Sequence, residues 1–182
     1  NNTGIYLEEG SNNTVQLNNI TTNGTSFNHG IRIYNNRFNR LVSNIISTNG
    51  SSSNNVGILL QELSDLMYIN NNSIRTYGTG DSHGIFIQDN GAPGNEGSSL
   101  HNITNNTIHT NGTGGNNIGI FASTPHHRIN NNSIITNGTV DNHGIQFTLP
   151  ATNMSFISNN ITIQGARSYG VYINDSNGSL LF

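Results

Sequence analysis

A Gly followed by Ile or Val recurs at Gly4, Gly30, Gly57, Gly84, Gly119, Gly144 and Gly170, at intervals of about 26 residues with one longer step between Gly84 and Gly119. Each glycine opens a short alternating stretch, from "GIYL" and "GIRI" to "GIQF" and "GVYI". Period-two alternation marks a strand with its apolar residues on one face. Two further apolar beats follow, five residues apart in each of the first six units, with the first of them alone in the seventh. One reads Val15, Leu41, Ile69, Ile103, Ile129, Phe156 and Leu181; the other reads Ile20, Ile46, Ile74, Ile108, Ile134 and Ile161. A column survives insertions only if like stacks on like in space. Three short strands per turn, each pairing with its equivalent one turn later at about 4.8 Å, satisfy that condition. The fold class expected is therefore all-β, a parallel β-helix (solenoid) of about seven turns with three short strands per turn.

Other columns have physical tasks in such a coil. Asn18, Asn44, Asn72, Asn106, Asn132 and Asn159 each stand two residues before the second apolar column. At a bend they form a ladder of amide-to-amide bonds along the axis, each worth about 0.5–1.5 kcal/mol net. The glycines supply the positive-φ or close-approach positions that tight corners need. Residues 1–182 form one domain. The long interval contains the first proline and several glycines, and it reads as a loop inserted around 88–100.

This arrangement of "GI-x-I", "NN-x-I-x-T-N-G" and "GI-x-I" resembles the right-handed parallel β-helix repeat of the pectin-lyase-like superfamily, over essentially the whole chain. Right-handedness is an implication of that resemblance. The superfamily includes polysaccharide lyases and hydrolases, phage tailspikes, adhesins, surface-layer and sheath proteins and NosD-like periplasmic proteins, so the resemblance leaves function open.

Composition removes several function classes. Asparagine makes up about a fifth of the chain, charged residues only 8%, and a net charge of −3 without any lysine gives no basic patch for nucleic acid. Cysteine is absent, which removes disulfides and thiolate metal sites. No apolar run is long enough for a transmembrane segment. No cofactor is implied. His29, His83 and His143 share a column but stand about two turns apart, too far to hold one metal, and the adjacent His126 and His127 fit a turn.

The best-placed acid/base candidates are Asp81 and Asp141, in "DSHGI" and "DNHGI", with His83 and His143 two residues after them. Two turns put the carboxylates about 10 Å apart, near the upper edge of the roughly 6.5–9.5 Å used by inverting glycosidases. The intervening turn offers Asn116 and Ile118 instead, and the signatures of polygalacturonases and pectate lyases are missing. Ice binding is disfavoured because the outward column Thr21, Ser47, Arg75, His109, Ile135 and Thr162 is not a regular hydroxyl array.

Surface features favour a structural role. The outward column of the first strand reads Tyr6, Arg32, Leu59, Phe86, Phe121, Gln146 and Tyr172, rich in apolar residues where solvent would select polar ones. Tyr6, Leu59, Phe86, Phe121 and Tyr172 are accordingly contact-surface candidates. Fifteen N-x-[ST] triplets occur. Among them Asn23, Asn49, Asn111 and Asn137 fall at an "NG[TS]" corner whose side chains should face water, and these are the glycosylation candidates. Neither end carries a capping sequence, so the coil is expected either to continue or to pair with other copies. The expectation is an extracellular or cell-surface structural protein, N-glycosylated, whose partners are itself, through open ends or lateral faces of a filament, sheath or lattice, and its covalent glycans. The alternative is a carbohydrate-active β-helix, a polysaccharide hydrolase or lyase or a glycan-binding adhesin.

Overall fold

The computed structural model describes residues 2–88, 100–148 and 153–174; Leu181 and nearly all of the insertion expected around 88–100 lie outside these residues. The first turn consists of β1 (Asn2–Ser11), β2 (Thr14–Gln16) and β3 (Asn19–Gly24). The same triplet repeats along the chain as far as β19 (Val171–Ile173). Every strand pairs in parallel with its equivalent one turn on, giving a first sheet of seven strands and second and third sheets of six each. The described chain thus makes six complete turns and the opening strand of a seventh. Among these residues no helix is long and apolar enough to cross a membrane.

Register follows the apolar columns. Ile31, Ile58, Ile85, Ile120 and Ile145 stack in the first sheet, Leu41, Ile69, Ile103 and Ile129 in the second, and Ile46, Ile74, Ile108 and Ile134 in the third. These side chains are almost completely shielded from solvent. Burying each contributes on the order of 1.5–3 kcal/mol, and repetition of one shape from rung to rung lets the methyl groups nest without gaps.

The glycine column works by close approach. At Gly30, Gly57, Gly84, Gly119 and Gly144 an added Cβ would strike the Cγ2 of the third-sheet isoleucine and lie 2.5–2.6 Å from the carbonyl oxygen of the next glycine. The backbone at the start of each first-sheet strand therefore packs directly against the third-sheet isoleucines. Positive φ, the other role expected of glycine, occurs at only one described glycine, Gly165.

The left-handed positions are mostly filled by other residues. In the second turn Phe38, Ser43 and Asn54 have φ of 58°, 55° and 61°. Each is followed by a fully buried asparagine: Asn39, Asn44 and Asn55. One left-handed residue reverses the outward and inward alternation, so the next side chain points into the coil at each of three corners per turn. The conformation costs about 1–2 kcal/mol for an L residue, and the hydrogen bonds of the inward asparagine offset that cost.

Candidate functional site

The inward asparagines at the corner between the second and third sheets make a continuous ladder. Nδ2 of Asn18, Asn44, Asn72, Asn106 and Asn132 donates to Oδ1 of the asparagine one turn on, at 2.9–3.1 Å. Each Oδ1 also accepts the backbone N–H of the asparagine before it. From Asn44 to Asn159, Nδ2 makes a further bond to a carbonyl of the second-sheet column. Donors and acceptors of this buried column are thus satisfied rung by rung.

A second ladder, not anticipated from the sequence, runs at the corner between the third and first sheets. Asn28 donates to Asn55 at 2.7 Å and Asn117 to Asn142 at 3.0 Å. Ser82 interrupts it, and Ser168 ends it by accepting the Asn142 backbone N–H at 2.9 Å. At the third corner the inward column reads Asn39, Met67, His101, His127 and Met154, all buried. The His101 and His127 rings stack at 4.9 Å, nearly parallel. His127 is therefore an interior side chain, contrary to the turn position read from the sequence; His126 alone occupies the corner, with φ of 65°. Burial, and secondarily the neighbouring His126, drops the His127 pKa to about 3.

Asp81 and Asp141 prove to be corner residues. Both are left-handed, with φ of 48° and 54°, in the column that also holds Phe27, Asn54, Asn116 and Arg167. Aspartate and asparagine tolerate that conformation better than most residues, which explains their presence without reference to chemistry. The two carboxylates are separated by the Asn116 rung, and Asp141 is paired with Arg167 at 2.9 Å. His83 and His143 are buried between rings. His83 stacks on Phe121 at 5.4 Å and meets the edge of Phe86 at 5.1 Å, while His143 stacks on Tyr172 at 4.7 Å and Tyr169 at 5.5 Å. Nδ1 of His143 accepts the Tyr169 backbone N–H at 3.1 Å. Burial lowers the His83 pKa to about 4 and also lowers that of His143, with Asp141 opposing. Both rings are neutral near pH 7, where they act as packing groups.

The outward column of the first sheet is uneven. Tyr6 is 43% exposed and Leu59 only 5%, so Leu59, expected at a contact surface, is instead covered by its own chain. Its neighbours in register, Arg32 and Phe86, are long enough to cover it. Phe86, Phe121 and Tyr172 are half-buried, and Phe86 meets Phe121 edge to face at 4.9 Å. Arg32 lies over the Tyr6 ring at 5.1 Å and donates to Gln61, which donates to Gln88. This Arg–Gln–Gln chain was also not anticipated. The same face holds two open hollows, one of ≈ 330 Å³ beside His29, Arg32, Leu59 and Phe86 and one of ≈ 460 Å³ beside Asp141, Arg167, Tyr169 and Tyr172.

Asn23, Asn49 and Asn111 are exposed at the ends of third-sheet strands, whereas Asn137 is half-buried. Its amide turns onto His109 Nε2 at 3.1 Å, so the side chain does not face water as expected. Among the described residues no group of three or more His, Cys, Asp or Glu side chains could hold a metal ion.

A family model described as a right handed beta helix region matches residues 1–161. The chain belongs to this right-handed β-helix family. Neither a search of curated proteins nor one of solved structures found a match. The right-handed β-helix accounts for the parallel columns and the corner geometry. It assigns no chemistry to the residues on the outside.

Proposed function

We propose that the chain is a structural coil of the cell surface or extracellular space, carrying N-linked glycans at exposed corners and packing with copies of itself into a filament, sheath or lattice. The observation that carries this reading is where the polar side chains go. Asparagines form axial ladders at two corners, and histidines stack in the interior or between aromatic rings. Axial bonding of this kind, unbroken from Asn18 to Asn159, resists bending and local opening, the properties a rod under load requires. The exposed Tyr6 and the half-buried Phe86, Phe121 and Tyr172 supply a face for lateral packing, and the exposed Asn23, Asn49 and Asn111 supply acceptor amides.

Cryo-electron microscopy of the native extracellular material tests the proposal. Ordered filaments or sheets with extra density at these asparagines are expected. Monodisperse, unmodified particles would overturn it.

A second reading, a carbohydrate-active coil, is favoured by the hollow beside Asp141, where Tyr169 and Tyr172 offer ring faces next to a charged pair. Failure to bind a glycan panel removes the adhesin form. A polysaccharide-degrading activity that survives Asp81→Asn with Asp141→Asn removes the hydrolase form.

A further inference from the structure

Thirteen of the N-x-[ST] triplets begin at described residues, and nine of those lie in the third sheet or at one of its two corners. No triplet begins in a described strand of the first sheet, and three, at Asn12, Asn153 and Asn174, begin in the segments that follow its strands. Six of the nine form two exposed rows. One is the NG row of Asn23, Asn49 and Asn111. The other consists of Asn71, Asn105 and Asn131, on three consecutive turns, and it comes from the left-handed corner that precedes each third-sheet strand.

Geometry makes this second row a set of acceptors. Asn71, Asn105 and Asn131 have φ of 57°, 57° and 55°. Each precedes a ladder asparagine that points inward, so its own amide is thrown outward, and all three residues are exposed. The third residue of each triplet, Ser73, Thr107 or Ser133, opens the following strand and is not buried. About six residues separate the two rows, roughly 20 Å along a strand, with the third sheet between them.

We propose, building on the glycosylated reading above, that Asn71, Asn105 and Asn131 are N-glycosylation sites, and that the glycans form a coat concentrated on the third-sheet side, leaving the first sheet bare. The reaction requires a glycosyl diphosphate donor and its transferase. A bond forms between Nδ2 and the sugar C1, the C1–O bond to the diphosphate breaks, and the amide proton leaves with the transferase base. The middle residue of each triplet, Asn72, Asn106 or Asn132, is locked in the ladder once its turn has closed. Transfer to this row therefore precedes folding of that turn, whereas the NG row stays accessible in the finished coil.

The test is intact-glycopeptide mass spectrometry of the native protein, with a Thr107→Val variant expressed in the same organism. Glycan mass is expected on Asn71, Asn105 and Asn131 as well as on the NG row, and the variant loses it at Asn105 alone, because the acceptor hydroxyl is removed while a β-branched strand residue is kept. Glycans on Asn23, Asn49 or Asn111 with a bare corner row would overturn this inference and leave the glycosylated reading standing. A wholly unmodified chain would overturn both.

Discussion

Gly57 shows how one missing side chain sets the distance between two sheets. A methyl group placed there meets Ile74 Cγ2 and the Gly84 carbonyl oxygen at 2.6 Å. The carbonyl accepts the Ile58 backbone N–H at 2.9 Å and cannot rotate away without breaking that bond. Propensity would favour alanine over glycine in a strand interior by roughly 0.5–1 kcal/mol, but overpacking a rigid contact costs about 1–3 kcal/mol, so the steric term decides the sign. Gly57→Ala is therefore expected to lower the urea midpoint. Gly10→Ala is the control, because its methyl meets only the side-chain amides of Asn36 and Asn13, 3.2 and 3.6 Å away. Equal losses in the two variants would show that the close approach at Gly57 is not what the glycine is for.

At the level of strands and corners, the second ladder has a gap that can be filled. Asn55 and Asn117 stand on either side of Ser82, whose hydroxyl bonds instead to the Gly80 carbonyl at 3.2 Å. Gly78 precedes it as Gly50 precedes Asn55 and Gly112 precedes Asn117, so the space that an inward amide requires is already present. Ser82→Asn is expected to join the two halves and raise stability by about 0.5–1.5 kcal/mol, read from chemical denaturation; a loss would mean that the rung spacing there does not accept an amide. This ladder also marks the limit of what was legible in the sequence. The apolar columns and the Asn18 to Asn159 column repeat without exception, because each position faces its own copy in the core. The second ladder was hidden by its two serines. The corners were hidden more deeply, since φ there is imposed by the turn and the outward side chain is free to be Leu17, Ser43 or Arg167. For the same reason Asp81 and Asp141 looked like a carboxylate pair when they belong to a backbone column. Leu59 was misplaced because its burial depends on the size of neighbours one rung away, which a single strand pattern does not reveal.

The whole coil should respond to acid through its buried histidines. In the folded chain His29 and His83 titrate at about 4 and His127 at about 3, each lowered chiefly by burial, against about 6.5 when unfolded. Between those values the unfolded chain binds protons that the folded chain refuses. Stability is therefore fully present above about pH 6.5 and declines as pH falls toward 4, each histidine contributing up to about 1.4 kcal/mol per pH unit. His83 is the cleanest probe, since burial alone is the cause of its shift. In denaturation curves at pH 7 and pH 5, His83→Gln is expected to reduce the difference between the two conditions by an amount on the order of one histidine's share, whatever it does to stability at pH 7. An undiminished difference would mean that acid opens the coil somewhere other than at the ring packed between Phe86 and Phe121.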